Sequence, residues 1–346
     1  MRSRWKLLRY WMEWAALVSA TKWIPLLPRQ ACVSLGQRLG LVMSVLDRPR
    51  RKVALANLEV AFGDSLTERQ RCEIVRESFQ HFARTMIDLL WSPHLTQENF
   101  HHYIEAVNFE ETVRSGDPRP GLIIACFHYS NFEWLGLDCG FLGLPATIIS
   151  QEFKNRRLDS IFQKLREQSG HELIGRQRGL IRLYKVLRRG GCAALLVDLT
   201  VPPGQDGVVI DCFGLKTYVT SAHAWLAQRT GAAIVPMHCE PLPNGRYRII
   251  FHRKIEASAT TSLRRTAQAC WDSFEPYVRR NPGPWLWMYK HWRNKPMNPD
   301  RPYPFYARSS QVFESRLSEK EARETRGLEN GGRTSATPHG SGDSPQ

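Results

Sequence analysis

The chain has 346 residues, 42% of them hydrophobic, enough for one large α/β domain or two small ones, and a formal net charge of +15. So basic a chain expects an anionic partner: nucleic acid, an acidic membrane surface, an acidic carrier protein or a phosphorylated substrate. No zinc-finger spacing, RNP-like strand or basic zipper is present, so nucleic acid is not expected, whereas the eleven tryptophans favour a lipid–water interface. The eight cysteines form no C-x-x-C pair and several lie in apolar runs. This argues against a metal site or a disulfide framework and fits a reducing, cytosolic setting.

The chain opens with Arg2, Arg4, Lys6 and Arg9 before a mostly apolar stretch from about Tyr10 to Leu27, interrupted by Glu13, Lys22 and Pro25. A cleaved signal peptide is disfavoured by Glu13 in its core. A single membrane anchor with its basic end in the cytoplasm and an interfacial helix with tryptophans at headgroup level fit about equally, so residues 1–30 are expected to attach to a membrane. The cluster Arg48-Pro-Arg-Arg-Lys52 reads as a solvated loop or as a contact for anionic headgroups. Ser65-Leu-Thr67-Glu68 is a helix start, and Ile74, Val75, Phe79, Phe82, Met86, Leu89 and Leu90 follow at the spacing of an amphipathic helix.

Gly121–Trp134 carries the chemistry. Leu122–Phe127 has the length and composition of a buried strand, and the chain leaves it on His128-Tyr-Ser-Asn131-Phe-Glu133. An imidazole at a strand end sits where an open α/β sheet has its crevice. If Asn131 begins a helix, Glu133 lies in the first turn and can fold back on His128, fixing the tautomer and raising the basicity of the other ring nitrogen. With no serine or cysteine at a strained elbow beside it, His128 is suited to activate an incoming hydroxyl. The plainer alternative is a hydrogen-bonded structural histidine.

Ala146–Ser150 reads as a second buried strand, and 151–170 as a loop followed by a helix carrying Arg166. On its residues alone Arg166 is a surface ion-pair partner. Gly179–Arg189 is a short amphipathic helix, and Cys192–Val197 a strand ending on Asp198, a position that either serves a site or caps the next turn. Val201–Asp211 is a Gly/Pro-rich loop at the mouth of the site. Thr220–Thr230 reads as a helix closed by Gly231. A buried strand and an Asn244-Gly245 hairpin turn follow. His238 and His252 lie in strand-like runs and read as structural. A helix spans about 262–280, and Pro284–Arg293 interleaves aromatics with bases. Its plainer reading is a core helix with a basic outer edge. From about residue 306 the chain turns polar and reads as a disordered tail. Strands alternating with helices give an α/β class with a mixed, mainly parallel central sheet flanked by helices. The expected division is a membrane-attached segment 1–30, a catalytic domain 31–305 and a tail 306–346.

The block His128-Tyr-Ser-Asn-Phe-Glu133-Trp resembles the H-x-G-N-W-E block of the lipid A biosynthesis (lauroyl/myristoyl) acyltransferases, within the wider lysophospholipid acyltransferase group. Ser130 stands where that family often has Gly and Phe132 where it has Trp. Asn57-Leu58 before the long helix, Asn155, Leu158, Asp159 and Arg166 after the block, Asp198 with Phe213-Gly214, and the closing Trp-rich segment match in the same order over roughly residues 50–296. The family's second arginine is here Gln168, and its Gln after the strand-end Asp is here Leu199. The resemblance implies acyl transfer from a thioester to a hydroxyl, without metal or bound cofactor. His128 is the base and Glu133 its orienting carboxylate, with Asn131, Arg166 and Asp198 toward substrate. It further implies acyl carrier protein as donor, a phosphorylated membrane glycolipid of lipid A biosynthesis as acceptor, and a place on the cytoplasmic side of the inner membrane. Another membrane acceptor, a lysophospholipid or a phosphatidylinositol mannoside, stays open, as does a non-catalytic basic protein binding membrane or nucleic acid.

Overall fold

The computed structural model describes residues 2–114, 121–202 and 205–317. Four helices come first: α1 (Arg2–Trp23), α2 (Arg29–Leu46), α3 (Arg48–Phe62) and α4 (Glu68–Trp91). The start signal before α4 forms a capping box. The Thr67 hydroxyl accepts from Gln70 N, and the Gln70 amide oxygen accepts from Thr67 N at 2.9 Å. Of the apolar positions expected on α4, Ile74, Val75, Phe79, Leu89 and Leu90 are buried and Phe82 and Met86 half-buried. The basic cluster at 48–52 is not a loop but the first turn of α3, because the Asp47 side chain accepts from Arg50 N at 3.1 Å and Pro49 suits a first turn.

Helix α2 lies against α4 through a stripe of small buried residues four apart: Cys32, Gly36, Gly40 and Ser44. A Cβ on Gly40 would fall 2.3 Å from the Gln80 Cα, so the two backbones touch where the side chain is missing. The other faces of α1 and α2 present Trp5, Trp11, Met12, Trp23, Leu39 and Leu46 to solvent. Among the described residues no helix is long and apolar enough to cross a membrane. Helix α1 is tied to the domain by Leu17 and Ala20, which pack on its core, and by Asn155, whose amide donates to Tyr10 O at 2.8 Å.

The remaining elements are β1 (Ile104–Val107), β2 (Leu122–Cys126), α5 (Phe132–Phe141), β3 (Ala146–Ser150), α6 (Asp159–Glu167), β4 (Glu172–Gly175), α7 (Gly179–Arg188), β5 (Cys192–Leu196), β6 (Gly207–Cys212), β7 (Leu215–Thr220), α8 (Ala222–Thr230), β8 (Ala233–Pro241), β9 (Tyr247–Phe251), α9 (Leu263–Arg280), β10 (Asn294–Lys295) and β11 (Arg308–Ser309). Seven strands make the central sheet in the order β1-β9-β8-β2-β5-β3-β4. All its pairs are parallel except the β8–β9 hairpin, so the sheet is mixed and mainly parallel, as expected. Strand β2 lies between β8 and β5, with helices over the sheet, which is why its sequence is an unbroken apolar run. The Asn244-Gly245 turn joins β8 to β9, both residues taking positive φ (58° and 78°).

Three readings change. The Gly/Pro-rich stretch runs only to about 206, and β6 and β7 form an antiparallel hairpin where a loop and the start of a helix were expected. Pro284–Arg293 is a series of turns, not a helix, and Trp285, Trp287 and Trp292 within it are fully buried. The first part of the expected tail is structured. Strand β11 pairs with β10, residues 311–317 are helical, and Phe313 packs with Val209 and Tyr218. Residues 318–346 lie outside the described residues.

Candidate active site

Strands β2 and β5 are adjacent and parallel, and Cys126 is the register partner of Leu196. Two residues further along each chain stand His128 and Asp198, so both side chains leave the sheet at one edge and side by side. His128 Nδ1 lies 2.7 Å from Asp198 Oδ1, and the His128 backbone N–H donates to Asp198 Oδ2 at 2.9 Å. The Trp285 indole N–H donates to the same Oδ2 at 3.1 Å. The Asp198 side chain is fully buried and that of His128 is 11% exposed. Burial pushes the Asp198 carboxyl up, but its attraction to His128 and their hydrogen bonds outweigh burial and leave it below the usual carboxylate range. An ionised carboxylate on Nδ1 makes that nitrogen the N–H and leaves Nε2 with its lone pair free to take a proton.

The carboxylate bonded to the His128 ring is therefore Asp198, not Glu133. Contrary to the expectation from the sequence, a serine does stand at a strained turn beside His128: Ser130, at φ 50°, turns the chain between the strand and α5. Glu133 then lies in the first turn of α5 and is engaged by α6: Arg166 Nε and Nη2 donate to its two oxygens at 2.9 and 2.6 Å. The pair is bidentate, the strongest geometry open to an arginine and a carboxylate. Burial lowers the Arg166 pKa, but Glu133's charge and hydrogen bonds more than offset it, so the guanidinium is held above its ordinary value. The Arg166 side chain keeps 27% exposure while Glu133 keeps 6%, so the cation is the partner that faces outward.

Asn131, expected to touch substrate, is fully buried and used inside the protein. Its Oδ1 caps α5 by accepting from Trp134 N at 3.0 Å, and its Nδ2 donates to Asp88 Oδ2 at 3.0 Å. Asp88, fully buried on α4, also receives the Tyr247 hydroxyl at 2.5 Å and both terminal nitrogens of Arg29 at 2.5 and 3.1 Å. Thr85, one turn earlier, donates to the Ser130 carbonyl at 2.8 Å. Helix α4 thus holds the strand-to-helix turn that carries His128. His238 and His252 are bonded to each other at 2.9 Å, and the His238 ring meets the Tyr129 ring edge-on at 5.6 Å.

Two contributors went unread in the sequence, Asp198 as the partner of His128 and Trp285 as the donor behind it. The first left a signal, since two apolar runs each end on a polar residue at the same offset. The second left only an aromatic-rich segment, which reads as core.

The family described as bacterial lipid A biosynthesis acyltransferase matches residues 2–294. A phosphatidylinositol mannoside acyltransferase of Mycolicibacterium smegmatis is 24% identical over 230 residues, 64% of this chain and 72% of that protein. A lipid A biosynthesis acyltransferase of Haemophilus influenzae is 21% identical over 296 residues, 84% of this chain and 91% of that one. A phosphatidylinositol mannoside acyltransferase of Mycobacterium tuberculosis is 30% identical over 125 residues, 34% and 38% of the two chains. A match over nearly the whole chain, laid on a strand-end histidine–carboxylate pair, places the protein: it belongs to the bacterial lipid A biosynthesis acyltransferase family.

Proposed function

We propose that this acyltransferase moves a fatty acyl chain from an acyl-carrier-protein thioester to a hydroxyl of a lipid A precursor, working at the cytoplasmic face of the inner membrane. The observation that carries the mechanism is the 2.7 Å bond between His128 Nδ1 and Asp198 Oδ1. Nε2 of His128 takes the proton of the acceptor hydroxyl as its oxygen attacks the thioester carbonyl. The imidazolium is held by Asp198. The tetrahedral intermediate carries its negative charge on the former carbonyl oxygen, and the N terminus of α5, four residues past His128, offers it a positive dipole end. Collapse breaks the C–S bond, and the leaving thiolate recovers the proton from His128. Arg166, anchored on Glu133 and partly exposed, supplies a cation for an acceptor phosphate.

The exposed tryptophans and leucines of α1 and α2 fit a helix pair lying in the headgroup layer of an anionic membrane, beside the basic first turn of α3. A phosphatidylinositol mannoside is the second acceptor we consider, favoured by the likeness to the mycobacterial enzymes of that name.

The test uses the purified chain in detergent with radiolabelled tetra-acylated lipid A precursor or a mannoside acceptor, and a panel of acyl-carrier-protein thioesters. Transfer to the lipid A precursor that is lost in His128→Ala is the expected result. Transfer only to the mannoside moves the assignment to the second acceptor. Transfer that survives His128→Ala removes the general-base mechanism.

A further inference from the structure

We infer that Trp285 is a positioning residue of the catalytic pair, and that the segment 284–291 is a strap that sets the orientation of Asp198. The inference rests on the general-base reading of His128 given above. Main-chain bonds lay the strap across the histidine turn: Leu286 N donates to His128 O at 3.2 Å, and Ser130 N donates to Pro284 O at 2.9 Å. From inside the protein, Ser78 Oγ donates to Trp285 O at 2.6 Å. His291 closes the strap on itself, its ring stacked on the Trp285 indole at 4.0 Å and its Nε2 2.9 Å from Leu286 O.

The indole so placed sends its N–H to Asp198 Oδ2, which also accepts the His128 backbone N–H. Two donors on one oxygen fix the plane of the carboxylate. The other oxygen, Oδ1, is left aimed at His128 Nδ1. Without the indole donor, Oδ2 keeps only the His128 backbone N–H, the carboxylate gains freedom to turn, and the tautomer of His128 is held less firmly. Among the described residues, the other ionisable groups near this carboxylate include His291 and the thiols of Cys126 and Cys212. Burial keeps the imidazole neutral and the thiols protonated.

The decisive variant is Trp285→Phe, which keeps a ring and removes the N–H, compared with Trp287→Phe. Trp287 is equally buried, and its indole donates instead to Pro282 O at 2.7 Å. Trp285→Phe is expected to lower kcat about tenfold with KM within about twofold of wild type. It also moves the acid limb of the pH–rate profile upward, because an oxygen that has lost a donor concentrates more negative charge toward the imidazolium. The downfield Nδ1 proton of His128, read by NMR on ring-15N-histidine protein, shifts or broadens. Trp287→Phe leaves the acid limb and that proton where they are. An unmoved or downward-moved limb in Trp285→Phe, or changes shared equally by Trp287→Phe, overturns the inference and leaves Trp285 a packing residue. If Trp285→Phe does not fold, benzothienylalanine at 285 keeps the two-ring shape without the N–H and gives the same readouts. Activity that persists in His128→Ala is a different failure, that of the general-base reading itself.

Discussion

His128 and Asp198 meet because the residues two places before them, Cys126 and Leu196, are register partners on adjacent parallel strands. The contact is thus a property of the sheet rather than of the local H-x4-E spacing, and it gives the two carboxylates different partners. Asp198→Asn is expected to reduce kcat by about a hundredfold or more while leaving the fold intact, since an amide no longer enforces the tautomer. Glu133→Gln is expected to cost less in kcat at saturating acceptor and to act mainly through Arg166. Steady-state kinetics on the two variants separates them. An equal loss in both returns Glu133 to the role its spacing first implied.

The Glu133–Arg166 pair carries its own energetic signature. Arg166→Ala leaves a nearly buried carboxylate without its two donors. Breaking a buried pair costs about 3–5 kcal/mol. The 27% exposure of Arg166 admits water and reduces the expected cost to about 2 kcal/mol. Adding Glu133→Gln to Arg166→Ala removes the stranded charge and is expected to recover part of that loss. Urea unfolding of the single and double variants measures it.

The contact between α2 and α4 depends on missing side chains. Gly40→Ala places a methyl 2.3 Å from the Gln80 Cα, where only backbone can yield, and is expected to cost about 3 kcal/mol or more. Gly136→Ala, in α5 with open space at the new Cβ, is expected to gain about 0.5–1 kcal/mol from helix propensity. Thermal melts of the two variants moving in the same direction contradict this packing.

Acid stability follows from histidines buried in neutral form. Burial lowers both His223 and His291 to about 4, and neither ring nitrogen of His223 has a hydrogen-bond partner among the described residues. Between roughly pH 6.5 and pH 4 the unfolded chain binds a proton at each site that the folded chain does not. Stability is therefore complete above about pH 6.5 and falls as pH drops, by about 1.4 kcal/mol per pH unit per histidine in that window. His223→Leu is expected to halve the part of the slope due to this pair. Denaturant melts at pH 7 and pH 5 give the difference directly.

Membrane docking through α1 and α2 predicts that Trp11→Ser together with Leu39→Ser lowers partitioning onto anionic vesicles by about tenfold or more, at roughly 1.5–3 kcal/mol per large apolar side chain fully buried. Both residues are exposed in the fold, at 56% and 42%, so the cost to folding is expected to be small, and circular dichroism checks it. Vesicle sedimentation with anionic and neutral lipid reads the effect. Unchanged partitioning places the membrane contact elsewhere.

What the amino-acid sequence by itself determined was local. The apolar run of β2, the capping box at Thr67, the Asn244-Gly245 turn and the alternation of strands and helices are set by residues within a few positions of one another. The histidine at the strand end belongs with them. The four-residue rhythm of Cys32, Gly36, Gly40 and Ser44 is also local, yet it gains meaning only beside α4, which its small residues admit. Short elements such as β4 and the β6–β7 hairpin carried too little pattern to be read, because pairing partners rather than propensity stabilise them. The tertiary structure alone decided which carboxylate serves His128. Glu133 is five residues away and Asp198 seventy, but the hydrogen-bonded register of two parallel strands brings the distant one to 2.7 Å, while the helical turn gives the near one to Arg166. Trp285 was decided the same way. Its indole meets Asp198 because the closing segment folds back over the histidine turn, a contact across 87 residues that no spacing in the sequence encodes.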